Sequence, residues 1–288
     1  MDQFAQLNKI RLHYLDHRLD QEVDRSGVGA SLILLPGLTA NAHCFDGLIQ
    51  AGLSRRLHVL ALDLRGRGLS DKPPHGYAMA DHAGDVIGLL DALGIEHAVI
   101  GGHSFGGLLA FYLAANFSER VSKLVVIDAA VKLVNSQTRE LIKPSLDRLG
   151  RRSPSWEAYI EAIKRAPYFD GWWDPAIESY FRADVQFNED GSVQPRSRPE
   201  NIAEAIDKAQ REDWDSHLAA IRQPSLLLCA HRGYGPPGAP PIVSPEQARA
   251  TAEALPGCHY VEAPGNHFTM LYGAGAERAV ESITRFAS

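Results

Sequence analysis

The pentapeptide Gly102-His103-Ser104-Phe105-Gly106 sets a serine between small residues two before and two after it, with an apolar run over 97–101 ahead and a helix-like run over 108–117 behind. A serine at a sharp strand-to-helix turn projects its Oγ from the end of a sheet, and the flanking glycines let the backbone take the bend. The chemistry open to such a side chain is nucleophilic attack. A hydroxyl is a weak nucleophile at neutral pH, so it needs a base, and the base needs a third group to hold its tautomer and steady the imidazolium. Twelve histidines are available. His267 is the best placed, in the loop Pro264-Gly265-Asn266-His267-Phe268 between the last expected strand and the last expected helix, at the sheet edge that also carries Ser104. His103 adjoins the serine, but consecutive side chains diverge at a sharp turn, and it reads as a packing or pocket-shaping residue.

These residues need a parallel sheet to bring them together. Short apolar runs over 30–35, 57–62, 123–127, 225–229 and 259–262 read as strands, together with the run before Ser104, and residues 9–16 alternate enough for an edge strand. Helical periodicity over 78–93, stopped by Gly94, over 245–255 and through Ala279, Val280, Ile283 and Phe286 supplies the covering layers. Strands alternating with helices of this length imply βαβ units. Between about 130 and 221 the pattern changes: no buried-type strand appears, and all four tryptophans (Trp156, Trp172, Trp173, Trp214) fall there with Tyr159, Phe169, Tyr180 and Phe181. This reads as an inserted, mainly helical cap over 130–221, leaving 1–129 and 222–288 as the core domain. A cap with little core of its own must lay apolar surface over the main domain, so some of these aromatics should face the cleft. Residues 185–187 and 192–193, separated by Asp190-Gly191, suggest a small hairpin with a tight primed turn.

Composition limits the partners. The 29 basic and 35 acidic residues give a net charge of −6, no footprint for nucleic acid or an anionic membrane. The first ten residues have no apolar leader segment, and no apolar run approaches a membrane span, so a soluble cytoplasmic protein is expected. Cys44, Cys229 and Cys258 lack C-x-x-C spacing and read as reduced thiols, mostly core filler.

Taken together, these motifs resemble those of the α/β-hydrolases over nearly the full chain. Leu35-Pro36-Gly37-Leu38 is similar to the family's His-Gly oxyanion loop with proline in place of histidine, and Asp63-Leu64-Arg65-Gly66 with Gly68-Leu69-Ser70 is similar to its loop after the fourth strand. The resemblance implies the α/β-hydrolase fold, no cofactor and no metal. It also implies that the backbone N–H groups of Leu38 and Phe105 bind the oxyanion, where losing one donor costs ~10²–10³ in rate. Asp63 and Arg65 read as structural loop residues.

The acid departs from the commonest family pattern, an aspartate shortly after the strand over 225–229. Here Ala230-His231-Arg232-Gly233-Tyr234 has no carboxylate, and Glu246, after Ser244-Pro245, suits the first turn of a helix. Asp128 ends the strand after the nucleophile helix, where some branches of the family carry their acid. It could instead cap the first helix of the insertion; the acid role is assigned to it because His267 would otherwise be unoriented. The leading expectation is a serine hydrolase of a small, apolar or aromatic carboxylic ester or lactone, using Ser104, His267 and Asp128. A cofactor-independent dioxygenase of a heteroaromatic ring, a carbon–carbon bond hydrolase and a non-catalytic ligand receptor share this architecture and stay open, as does the oligomeric state.

Overall fold

Leu32–Leu35, Val59–Leu62 and Ser225–Cys229 have no polar face, and every residue in the three is buried. Strands covered by helices on both sides have this composition because neither face meets water. The computed structural model describes residues 1–7, 9–18, 31–131, 133, 135–169 and 171–287. Its main sheet has eight strands in the order β1 (Asp2–Gln6), β2 (Arg11–His17), β4 (Val59–Leu62), β3 (Leu32–Leu35), β5 (Ala98–His103), β6 (Val121–Ile127), β9 (Ser225–Cys229) and β10 (His259–Glu262). From β4 to β10 all neighbours run parallel, while β1 and β2 are antiparallel additions.

The strand expected over 9–16 is β2, yet it is not the edge. β1 covers it, pairing Phe4 with His13 and Ala5 with Leu12. Only Ala5 of β1 is buried, so its sequence shows no apolar alternation; pairing with β2 alone makes it a strand. Ala30, expected in β3, lies outside the described residues.

Helices α1 (Asp46–Gln50), α2 (Met79–Ala92), α3 (Phe105–Asn116), α10 (Pro245–Ala254) and α11 (Gly273–Ala287) cover the sheet. The stripe Ala276, Ala279, Val280, Ile283 and Ala287 turns α11 inward at helical spacing. Between β6 and β9 the chain leaves the sheet and forms α4 (Ser136–Leu141), α5 (Lys143–Asp147), α6 (Trp156–Lys164), α7 (Pro175–Asp184), α8 (Pro199–Gln210) and α9 (Trp214–Ala220). Asn135, Ser155, Asp174 and Asp213 each accept a backbone N–H at a helix start, contacts worth about 1 kcal/mol apiece. The hairpin is β7 (Val185–Phe187) and β8 (Val193–Pro195). Its connection is not a two-residue primed turn: residues 188–192 form the loop, with Gly191 at φ +83°.

Specific bonds hold the insertion against the sheet domain. Ser179 Oγ donates to Asp46 Oδ2, Asn41 Nδ2 to the Tyr180 carbonyl (3.2 Å), and Asn266 Nδ2 to the Tyr168 carbonyl (2.6 Å). Phe169, Tyr180 and Phe181 pack on Phe268 with ring centroids 5.3–6.1 Å apart.

Asp63 and Arg65 organise the loop after β4. Asp63 accepts from His13 Nδ1 and from the Ala42 and Leu69 N–H groups, each at 2.7 Å. Burial alone would raise this carboxyl, but those donors hold it below its ordinary value. Arg65 grips Asp85 with two nitrogens at 2.6 and 2.5 Å. Among the described residues no helix is long and apolar enough to cross a membrane.

Candidate active site

Ser104 follows the last residue of β5 and caps α3, at φ 56° and ψ −119°. A side chain other than glycine rarely occupies this region, and the surrounding packing must impose it. The neighbouring glycines show how. A Cβ on Gly102 would come within 2.0 Å of the Gly106 carbonyl oxygen, and one on Gly106 within 2.0 Å of the Leu35 carbonyl oxygen. The helix start is therefore pressed against both β5 and the loop after β3.

The Ser104 Oγ lies 2.9 Å from His267 Nε2, and His267 Nδ1 lies 2.6 Å from Asp128 Oδ2. Asp128 is fully buried, and its other oxygen accepts the Ala230 N–H at 3.0 Å. The structure thus brings together the three residues singled out as nucleophile, base and acid. β6 and β9 are parallel neighbours with Ile127 opposite Leu228, so a carboxylate one residue past β6 arrives level with the end of β9. Where the commoner arrangement would offer an acid, this chain offers the Ala230 N–H as a donor to one. Glu246 stands exposed in the first turn of α10 and makes no contact with His267.

His103 shapes the site from beneath. Its Nε2 donates to the His267 carbonyl at 2.7 Å, and its ring lies 4.6 Å from the His267 ring. Burial first, and the neighbouring His267 imidazole second, push the His103 ring well below its usual range, so it stays neutral. On the other flank, a Cβ built on Gly37 would lie 3.6 Å from the Ser104 Cβ, so the backbone of the loop before Leu38 runs against the serine. Among the described residues, neither the Leu38 nor the Phe105 N–H donates to another protein group.

A cleft of about 670 Å³, part of it open to solvent, reaches Ser104 and His267. Its walls are largely Ile142, Leu146, Tyr168, Tyr180, Phe181 and Phe268. A second, smaller cavity meets Ser104 and Leu38 from the other side, between Leu108, Leu133, Ile206 and Ile242. Among the described residues that line the first, Arg148 alone carries a permanent charge, and its guanidinium is ion-paired with Asp184. Burial would depress this guanidinium, but Asp184 carries it well above its ordinary value. Cys44 also lines the cleft, and burial raises its thiol far from the nucleophilic range.

Tyr180 and Phe181 reach the cleft as aromatics of the insertion, but none of the four tryptophans does. Trp214 is buried between α8 and α9 with Nε1 on the Ala209 carbonyl, Trp156 packs on Tyr159 and Phe187, and Trp173 stacks behind Phe181. These three stabilise the insertion from within, and the expectation that some of its aromatics face the cleft is met by Tyr180 and Phe181 rather than by a tryptophan. Sequence reasoning missed Tyr168 and Tyr234, whose rings stack 4.9 Å apart at 6°, with Tyr234 edge-on to His267 at 5.7 Å. It missed Asn266 as well, whose Oδ1 accepts the Phe268 and Thr269 N–H groups and fixes the loop that carries His267. Its place next to that histidine was the available signal.

Comparison with known proteins extends this geometry. The family model described as alpha/beta hydrolase fold matches residues 30–274. The 2-(acetamidomethylene)succinate hydrolase of Mesorhizobium japonicum is 28% identical over 284 residues, covering 95% of each chain. The N-formylmaleamate deformylase of Pseudomonas putida is 30% identical over 231 residues, covering 78% of this chain and 76% of its own. The crystal structure of an E-2-(acetamidomethylene)succinate hydrolase superposes with a TM-score of 0.78 at 23% identity, over 99% of this chain and 98% of the other.

Proposed function

Because the chain belongs to the α/β-hydrolase family, we propose that it is a serine hydrolase that cleaves the acyl bond of a small carboxylic ester or amide bearing an apolar or aromatic group. The continuous chain from Ser104 Oγ through His267 to Asp128, at 2.9 and 2.6 Å, carries this reading. Ser104 attacks the carbonyl while His267 Nε2 takes its proton, and Asp128 holds Nδ1–H and steadies the imidazolium. The Leu38 and Phe105 N–H groups receive the oxyanion. Collapse of the tetrahedral intermediate expels the alcohol or amine with the proton from His267, and water then releases the acyl group by the reverse path. Residues 130–221 serve as a cap over this site and 1–129 with 222–288 as its core domain.

The apolar cleft walls and the neutralised Arg148 favour an uncharged acyl or leaving group. Both ester and amide stay in the proposal, because the two relatives are named for an acetamido compound and for removal of a formyl group. The test pairs a fluorophosphonate probe with matched phenyl esters and anilides of formyl to octanoyl groups. The expected results are a covalent adduct on Ser104, absent in Ser104→Ala, and hydrolysis that disappears with it. An unlabelled Ser104 together with oxygen uptake on a heteroaromatic substrate would replace hydrolysis with dioxygenation.

A further inference from the structure

Among the described residues Arg67 is the largest fully buried side chain, and no carboxylate there pairs with it. Its Nε donates to the Leu38 carbonyl at 3.0 Å, its Nη1 to the Arg65 carbonyl at 2.7 Å, and its Nη2 has no partner although it is buried. The guanidinium carbon lies 5.4 Å from the centre of the Phe105 ring and 5.9 Å from that of Tyr77. The two residues it touches nearest the site, Leu38 and Phe105, are the two whose N–H groups are assigned to the oxyanion. An unpaired buried charge is costly, and packing alone would be served as well by an apolar side chain.

We infer that Arg67 is a positioning residue of the oxyanion site, holding Leu38 through its carbonyl and placing an unneutralised positive charge behind the two N–H donors. Leu38 carries the donor N–H on one side of its Cα and the gripped carbonyl on the other, so the bond to Arg67 removes one of the rotations that would let this residue swing. The charge is least screened where no water intervenes, and negative charge on the reacting oxygen appears only in the tetrahedral state. Arg67 therefore favours that state over bound substrate. Burial lowers the guanidinium to about 10, which leaves it protonated at neutral pH. His82, also fully buried with both ring nitrogens unpartnered, packs edge-on to Phe105 at 5.4 Å; burial and the two neighbouring guanidiniums keep it uncharged, so it adds no second charge there. Asp63 and Arg65 hold the ends of the loop by their own bonds, which leaves the Arg67 guanidinium committed to the site.

The inference rests on the serine-hydrolase reading, and one experiment separates the two. Wild type, Arg67→Met and Arg67→Lys are compared by the rate of Ser104 labelling with a fluorophosphonate. They are also compared by their affinities for an alkyl boronic acid, which becomes a tetrahedral anion on Oγ, and for the neutral amide of the same alkyl group. Because Arg67 acts at one remove from donors whose own loss costs ~10²–10³, Arg67→Met should lower labelling and boronate affinity about 10- to 100-fold and leave amide affinity within about twofold. Arg67→Lys keeps a charge but cannot hold both carbonyls, and should fall severalfold. The ratio of the two affinities is read on folded molecules, so a merely structural role would lower the melting temperature and leave it unchanged. An unchanged ratio in Arg67→Met, or in Arg67→Lys should the first variant not fold, overturns the inference while labelling of wild-type Ser104 upholds the hydrolase reading. A wild type that takes neither label nor boronate removes both.

Discussion

Ser104 and Asp128 are the two described residues other than glycine with positive φ, at 56° and 47°. Both sit one residue past the end of a central strand, and both face His267. Strain at two converging positions is tolerated where the surroundings over-determine it, which here means the close approach of Gly102 and Gly106 and the Ala230 N–H on the carboxylate. If Asp128 sets the tautomer of His267, Asp128→Asn should slow turnover by up to ~10⁴ with the fold intact, while Glu246→Gln leaves kcat within about twofold in the same steady-state assay. Equal rates for Asp128→Asn and wild type would remove the aspartate from the mechanism. Ser104 and His267 were legible in the sequence because their neighbours encode the backbone turn that displays them. Asp128 was legible as the acid through the resemblance to family branches that carry it after this strand and through the need of His267 for a partner. Tyr168, Tyr234 and Arg67 were not, since a ring stack between distant loops and a side chain folded back onto Leu38 leave no periodic trace.

Among the elements, strands buried on both faces read easily, β9 matching its apolar run residue for residue and β3 and β4 falling inside theirs, while the half-exposed edge strand β10 also matches the run read for it. β1 was invisible because its solvent face is polar and its partner supplies the order. The short helices of the insertion were read only as a region, their apolar faces being divided between one another and the cleft. That division separates two kinds of aromatic. Trp214→Ala should lower stability by about 3–5 kcal/mol, the usual cost of emptying a large buried site, and leave selectivity across acyl groups unchanged. Tyr168→Ala, at the cleft wall and stacked on Tyr234, should change the ratio of kcat/KM between short and long acyl esters at least fivefold. Thermal melts and a substrate panel on both variants check this pair, and a selectivity change confined to the tryptophan variant would reverse it.

At the scale of the whole molecule, buried neutral histidines tie stability to pH. His82 and His103 are pushed well below their ordinary value of 6.5, by burial first and second by the Arg67 and Arg65 guanidiniums beside His82 and the His267 ring beside His103. Below about 6.5 the unfolded chain takes up protons at these positions and the folded chain does not, so stability is complete above that pH and lost as pH falls beneath it, by at most about 1.4 kcal/mol per pH unit for each histidine. His43, raised by Asp46 against its own burial, works in the opposite sense. His82→Phe should therefore flatten the fall in melting temperature between pH 6.5 and 5 relative to wild type; parallel curves would show that His82 titrates alike in both states. One consequence belongs to the position of the carboxylate. With His267 oriented from β6, residues 235–241 of the loop after β9 supply no group to the proton relay, yet the Pro240 carbonyl accepts the N–H of Tyr234, whose ring is part of the cleft wall. Rich in glycine and proline, this segment is a seam at which residues can be exchanged or inserted to remake the shape of the substrate chamber without disturbing the machinery that breaks the bond.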